Sequence, residues 1–152
     1  MKLKGTRFGE IEFSKRDVID ISEGMIGFQN LRQYVVVNTK EGSPYRWLQS
    51  IEYATLAFLV SIPEFFVSDY APEITDAEAK SLGLAPETAH LILVTTTIPA
   101  GNPDAATANL AAPVVINLET RKAKQVILED EAYTIRYPIF SGSQEVAKLA
   151  AA

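Results

Sequence analysis

One histidine, no cysteine and nineteen carboxylates are the groups that this chain of 152 residues offers to chemistry. Thiolate metal sites are excluded outright, and the carboxylates show no EF-hand spacing, so no metal ligand set is expected. His90 opens an apolar run and reads as a strand-edge residue with a satisfied ring. No Gly-x-Ser-x-Gly elbow accompanies it, so nucleophile, base and orienter have no candidates. Gly24 and Gly27 are too few for a dinucleotide fingerprint and lie outside the strand-to-helix setting that fingerprint needs. They read instead as positive-φ turn positions that aim Met25 and Phe28. Glu10 and Glu12 share one strand face and read as a solvated edge. Arg121, Lys122 and Lys124 read as the cations of a hairpin tip. Without interleaved aromatics they make a poor nucleic-acid surface. With no catalytic residue, no cofactor motif and no metal site to assemble, the chain reads as a binding protein and not an enzyme.

The elements that carry these residues are mostly strands. Glu10-Ile11-Glu12-Phe13 alternates, with Ile11 and Phe13 expected to face inward. Tyr34 to Val37, Ala57 to Val60, His90 to Ile98 and Val114 to Ile116 are nearly continuous apolar or β-branched runs. Such runs suit strands covered on both faces or lining a closed barrel. Eight prolines and eight glycines punctuate them. One helix is expected over residues 75–82: Thr75 and Glu78 have capping-box spacing, Gly83 sits at the left-handed cap position, and Ala79 and Leu82 would rest on the sheet. The fold class is therefore all-β, a small β-barrel-like single domain over residues 1–140 with one short helix. Residues 141–152 form a C-terminal tail, helical or disordered, with its helical stretch from Gln144 to Ala152. In the barrel, Leu48, Phe58, Val60, Ile92, Val94 and Val115 are expected to point inward and fill the core.

Charge is distributed unevenly. Between Trp47 and Thr120 nine acids face a single lysine, Lys80, whereas the segments on either side carry more cations than acids. A chain of this kind disfavours nucleic acid and suits a basic protein partner steered by opposite charge. No stretch is long enough to cross a membrane, since Leu56 to Val67 is interrupted by Pro63 and Glu64. The lack of cysteine and of an apolar export segment after Met1 points to the cytoplasm.

Further blocks lie in order along the chain: Phe8-Gly9-Glu10-Ile11, Glu23-Gly24-Met25-Ile26-Gly27-Phe28, Trp47-Leu48-Gln49-Ser50, Leu56-Ala57-Phe58, Asp69-Tyr70, Thr107 to Asn117, Lys124 to Leu128 and Tyr133 to Ile139. Together they resemble the FliW family of bacterial flagellar assembly factors. Their order and spacing span residues 8 to 139. Two departures stand out: Ile26 occupies a position that is typically proline, which would loosen one turn, and Ser61-Ile62-Pro63 replaces a more usual Asp-Pro segment. The resemblance implies a β-barrel-like cytoplasmic protein that binds newly made flagellin. When flagellin is exported, it implies binding to the translational repressor CsrA instead, which frees flagellin messenger RNA from repression.

The residues expected to meet those partners lie in one segment. Phe65, Phe66 and Tyr70 are the apolar candidates for flagellin; Pro63 and Pro72 break the segment, so at least one ring should be displayed. Asp69, Glu73, Asp76 and Glu78 are the acidic candidates for CsrA. The alternative is a small barrel that binds or transforms a small molecule inside, which would need a polar group among small interior residues. An RNA-binding module is a third class, disfavoured by the acidic middle.

Overall fold

The structure, a computed structural model, describes residues 1–140, so the expectations for the 141–152 tail fall outside the described residues. An N-terminal hairpin, β1 (Lys2–Thr6) and β2 (Gly9–Glu12), pairs Lys2 with Glu12 and Leu3 with Ile11. Glu10 and Glu12 do face solvent, but not as a bare edge: the Lys2 ammonium lies 3.6 Å from both carboxylates.

Nine further strands follow: β3 (Ile19–Ile21), β4 (Gln33–Asn38), β5 (Tyr45–Ser50), β6 (Ala57–Ser61), β7 (His90–Thr97), β8 (Thr107–Ala108), β9 (Val114–Asn117), β10 (Lys122–Gln125) and β11 (Tyr137–Pro138). Seven of them close a ring in the order β7-β6-β5-β4-β3-β10-β9, with β9 pairing back onto β7. The β3–β10 pair is parallel, joining Ile21 to Ala123, and every other pairing in the ring is antiparallel. Closure removes the open edges that a flat sheet would expose. Strands β8 and β11 continue from the far end of β7 as a short flap.

The ring interior is packed with side chains. Ile19, Ile21, Tyr34, Leu48, Val60, Leu93, Val114 and Ile116 are each 0–1 % exposed, and Phe58, Leu31 and Leu91 pack against them. Leu48, Phe58 and Val60 are thus inward as expected; Ile92, Val94 and Val115 are not. Strand alternation sends Leu91, Leu93, Val114 and Ile116 inside, and their neighbours outside into two satellite clusters. A continuous apolar run hides this parity, because both of its faces are buried. The polar groups buried with the interior cluster, the Tyr34 hydroxyl and Ser50 opposite it, are used within the chain: the former donates to the Leu31 carbonyl at 3.2 Å, and the Ser50 Oγ accepts the Tyr53 N–H at 3.0 Å.

The first satellite is the seat of the helix α1 (Asp76–Leu82). The Thr75 hydroxyl accepts the Glu78 N–H at 3.2 Å, and Gly83 ends the helix at φ 69° with Leu84 N–H donating to the Ala79 carbonyl at 2.8 Å. Leu82 packs on Val115 and Val126, with Ile74, Leu84, Ile92 and Leu128 around them. Burial here matters more than propensity, because a helix of this length has little stability of its own. The second satellite gathers Val67, Val94, Ala106, Ala108, Leu110 and Ile139, capped by Phe66, Tyr70, Tyr133 and Tyr137.

The Gly24–Phe28 segment is a tight turn. Gly24 and Gly27 adopt φ 67° and 87°, and the Phe28 N–H donates to the Met25 carbonyl at 2.7 Å. Positive φ at the third turn residue is the geometry of a type II turn, which favours glycine there. Ile26 does not leave the turn loose. Its N–H, which a proline would lack, donates to the Gln125 side-chain oxygen at 2.8 Å, while the Gln125 amide nitrogen donates to the Ala112 carbonyl at 3.1 Å. The glutamine thereby ties the turn to the barrel.

Candidate functional site

The candidate residues sit on the connection between β6 and β7, outside the ring. Pro63 opens a single 3-10 turn (Pro63–Phe65), since its fixed φ suits a first helical position and its missing N–H costs nothing there. That turn points Phe65 and Phe66 in different directions. Phe65 is 56 % exposed, whereas Phe66 is half-buried in the second satellite with its ring centroid 6.0 Å from that of Tyr137. Tyr70 is likewise packed: its ring meets Tyr133 edge-on at 5.0 Å and its hydroxyl donates to the Leu110 carbonyl at 2.6 Å. Of the three aromatic candidates, only Phe65 is displayed.

The acidic candidates divide in a similar way. Asp69, Glu73 and Asp76 are exposed, and Glu78 is half-buried. The Glu78 carboxylate does not complete the capping box, and its Oε2 is buried without a hydrogen-bond partner among the described residues. Glu73, Asp76 and Glu78 line a groove of about 360 Å³ whose other wall is the stretch Val126 to Asp130. Glu129 and Asp130 were missed in the sequence because the charge count places them in the C-terminal, cation-rich part of the chain. The only signal was the acidic run Glu129-Asp130-Glu131 directly after the apolar Val126-Ile127-Leu128.

His90 heads β7 in an exposed position, with its Nδ1 3.1 Å from the Thr88 carbonyl. Among the described residues no group of three or more His, Asp or Glu is placed to hold a metal ion. Nor is any helix of the described residues long and apolar enough to cross a membrane.

Burial raises the hydroxyls of three tyrosines, Tyr34, Tyr45 and Tyr70. It pushes the Tyr34 hydroxyl up to about 12, with a smaller contribution from the nearby Glu52 charge, and it raises Tyr70 as well, with Tyr133 adding to the effect. The folded chain therefore holds these protons more tightly than the unfolded chain does. Stability from this source is complete below the ordinary tyrosine value and is lost as pH rises from there through about 12. Urea midpoints should accordingly be level between about pH 7 and 9 and fall steeply above about pH 10, where tyrosine ionises in the unfolded chain. Tyr34→Phe should flatten that fall, and an equally steep fall in the variant would remove Tyr34 as its source.

A filled seven-strand ring with its candidate residues on the outer connections defines a small closed β-barrel protein, and comparison with known proteins identifies its family. The FliW protein family model matches residues 2–139. The flagellar assembly factor FliW of Leptospira biflexa is 35 % identical over 140 residues, 92 % of each chain. That of Bdellovibrio bacteriovorus is 37 % identical over 145 residues, 95 % of this chain and 82 % of the relative. A crystal structure of the flagellar assembly factor FliW superposes with a TM-score of 0.84 at 29 % identity, covering 92 % of this chain and 97 % of the other. This chain belongs to the FliW family.

Proposed function

We propose that the protein is a cytoplasmic assembly factor that binds flagellin and, once flagellin is exported, binds CsrA and relieves its repression of flagellin messenger RNA. Family membership supports the flagellar role. The observation that carries the partner reading is the outer connection between β6 and β7, which displays Phe65 while Asp69, Glu73 and Asp76 stand in water beside no more than one lysine of the same stretch. An exposed aromatic is an apolar anchor for the helical, apolar ends of flagellin. The exposed acids suit a basic RNA-binding protein. Both partners act on the outside of the barrel in this reading, and no catalytic step is involved.

The direct test mixes the purified protein with flagellin and CsrA, separately and together. Capture of each alone, with flagellin displacing CsrA, is the expected result; failure to capture either sinks the reading. A second measurement addresses charge. Asp69→Lys combined with Glu73→Lys should slow association with CsrA by about tenfold at low salt and much less at high salt, because steering is screened over a Debye length of about 8–10 Å. Unchanged association at low salt would leave these acids a merely solubilising role.

A further inference from the structure

Past Gln125 the chain leaves the ring but keeps pairing along one side. Val126 N–H donates to the Pro113 carbonyl and Leu128 N–H to the Ala111 carbonyl, both at 2.8 Å. In antiparallel pairing, alternate residues bond to opposite neighbours, so Ile127 and Glu129 turn their peptide groups the other way. Within β10 that side is taken by β3, but β3 ends at Ile21. Among the described residues nothing bonds to the backbone of Ile127 or Glu129. The Ile127 side chain is 67 % exposed. This is a short free strand edge in a protein whose ring otherwise closes upon itself.

The edge forms one wall of the groove described above, and its surroundings select an occupant. Glu73, Asp76, Glu129 and Asp130 are exposed along it, no lysine or arginine of the described residues lines it, and the Glu78 Oε2, without a hydrogen-bond partner among those residues, lies in its wall. Acids on an edge also serve to discourage pairing with other edges of like charge. They do the opposite for a cationic strand. The geometry points to strand addition at Ile127–Glu129: an extended partner segment with alternating Lys or Arg and β-branched residues, its backbone bonded to these two residues and its cations set against the acids. The inference rests on the proposed reading of the acidic surface as the face for a basic partner, and adds how such a partner is held.

The test titrates the full chain, followed by amide NMR, with a synthetic acetyl-Lys-Val-Lys-Val-Lys-Val amide. Three further probes are the same peptide N-methylated on alternate residues, its Glu-for-Lys counterpart, and purified CsrA. The parent peptide should shift the Ile127 and Glu129 amides and slow hydrogen exchange at Ile127 at least tenfold, while the methylated and the glutamate peptides do neither. Glu129→Lys with Asp130→Lys should weaken parent-peptide binding at least tenfold. Equal binding of the methylated peptide overturns strand addition, equal binding of the glutamate peptide overturns the charge selection, and no binding of the parent peptide overturns both. CsrA that binds without disturbing Ile127 and Glu129 would defeat this inference and leave the proposed function standing. CsrA that does not bind at all would defeat the CsrA part of that function.

Discussion

Gly24→Ala should destabilise the protein by about 2–5 kcal/mol, through a left-handed backbone penalty of about 1–2 kcal/mol and steric displacement worth about 1–3 kcal/mol. At φ 67° an added Cβ would sit 2.5 Å from the Phe28 carbonyl oxygen and 2.6 Å from the Gln29 Cα, both backbone atoms that cannot swing aside. Gly27→Ala is the control. It has φ 87°, but its added Cβ meets nothing within 4 Å, so only the backbone penalty of about 1–2 kcal/mol remains. Thermal melting compares the two, with a shift of about 2–4 °C for each kcal/mol in a chain of this size. Equal shifts for both variants would show that the close approach at Gly24 relaxes without cost.

Phe66→Ala should cost roughly 3–5 kcal/mol of stability, since its ring fills the second satellite beside Tyr137 and truncation leaves a void among Val67, Leu110 and Ile139. Its chain neighbour should behave in the opposite manner. Phe65→Ala should leave the melting temperature nearly unchanged and weaken flagellin binding by roughly 2 kcal/mol or more, about thirtyfold, as a displayed anchor does. Calorimetric melting and titration of both variants with flagellin separate the outcomes. A Phe65 variant that melts normally and binds as tightly as the parent places the flagellin surface elsewhere.

How much of this was legible beforehand follows from which faces of each element are buried. The helix was readable to its ends, because Thr75 and Gly83 perform local jobs that depend on no distant residue. The four apolar runs became β4, β6, β7 and β9 for the same reason. Strands β3, β8, β10 and β11 are two to four residues long and gain their stability from neighbours far away in sequence, so no local pattern marks them. Inward parity in β7 and β9 was lost where the helix and the C-terminal segment cover the outer face with side chains as apolar as those inside. The acidic groove was half legible. The acids at Glu73, Asp76 and Glu78 are local, but their counterparts at Glu129 and Asp130 arrive only because β10 runs beneath the helix.

The parallel pairing of β3 with β10 also governs the order of events during synthesis. Ile21 meets Ala123 across about a hundred intervening residues, a separation for which the entropy of loop closure comes due before any contact rewards it. The hairpin β1–β2 and the meander β4–β5–β6–β7 can form as they leave the ribosome, but the ring stays open until β9 and β10 have both emerged. Topology of this kind places folding in the millisecond-to-second range, slower than helical proteins of similar size. Until then β3 and β7 keep free edges open to pairing with another nascent chain, so truncation before Lys122 should yield an aggregating product rather than a smaller barrel.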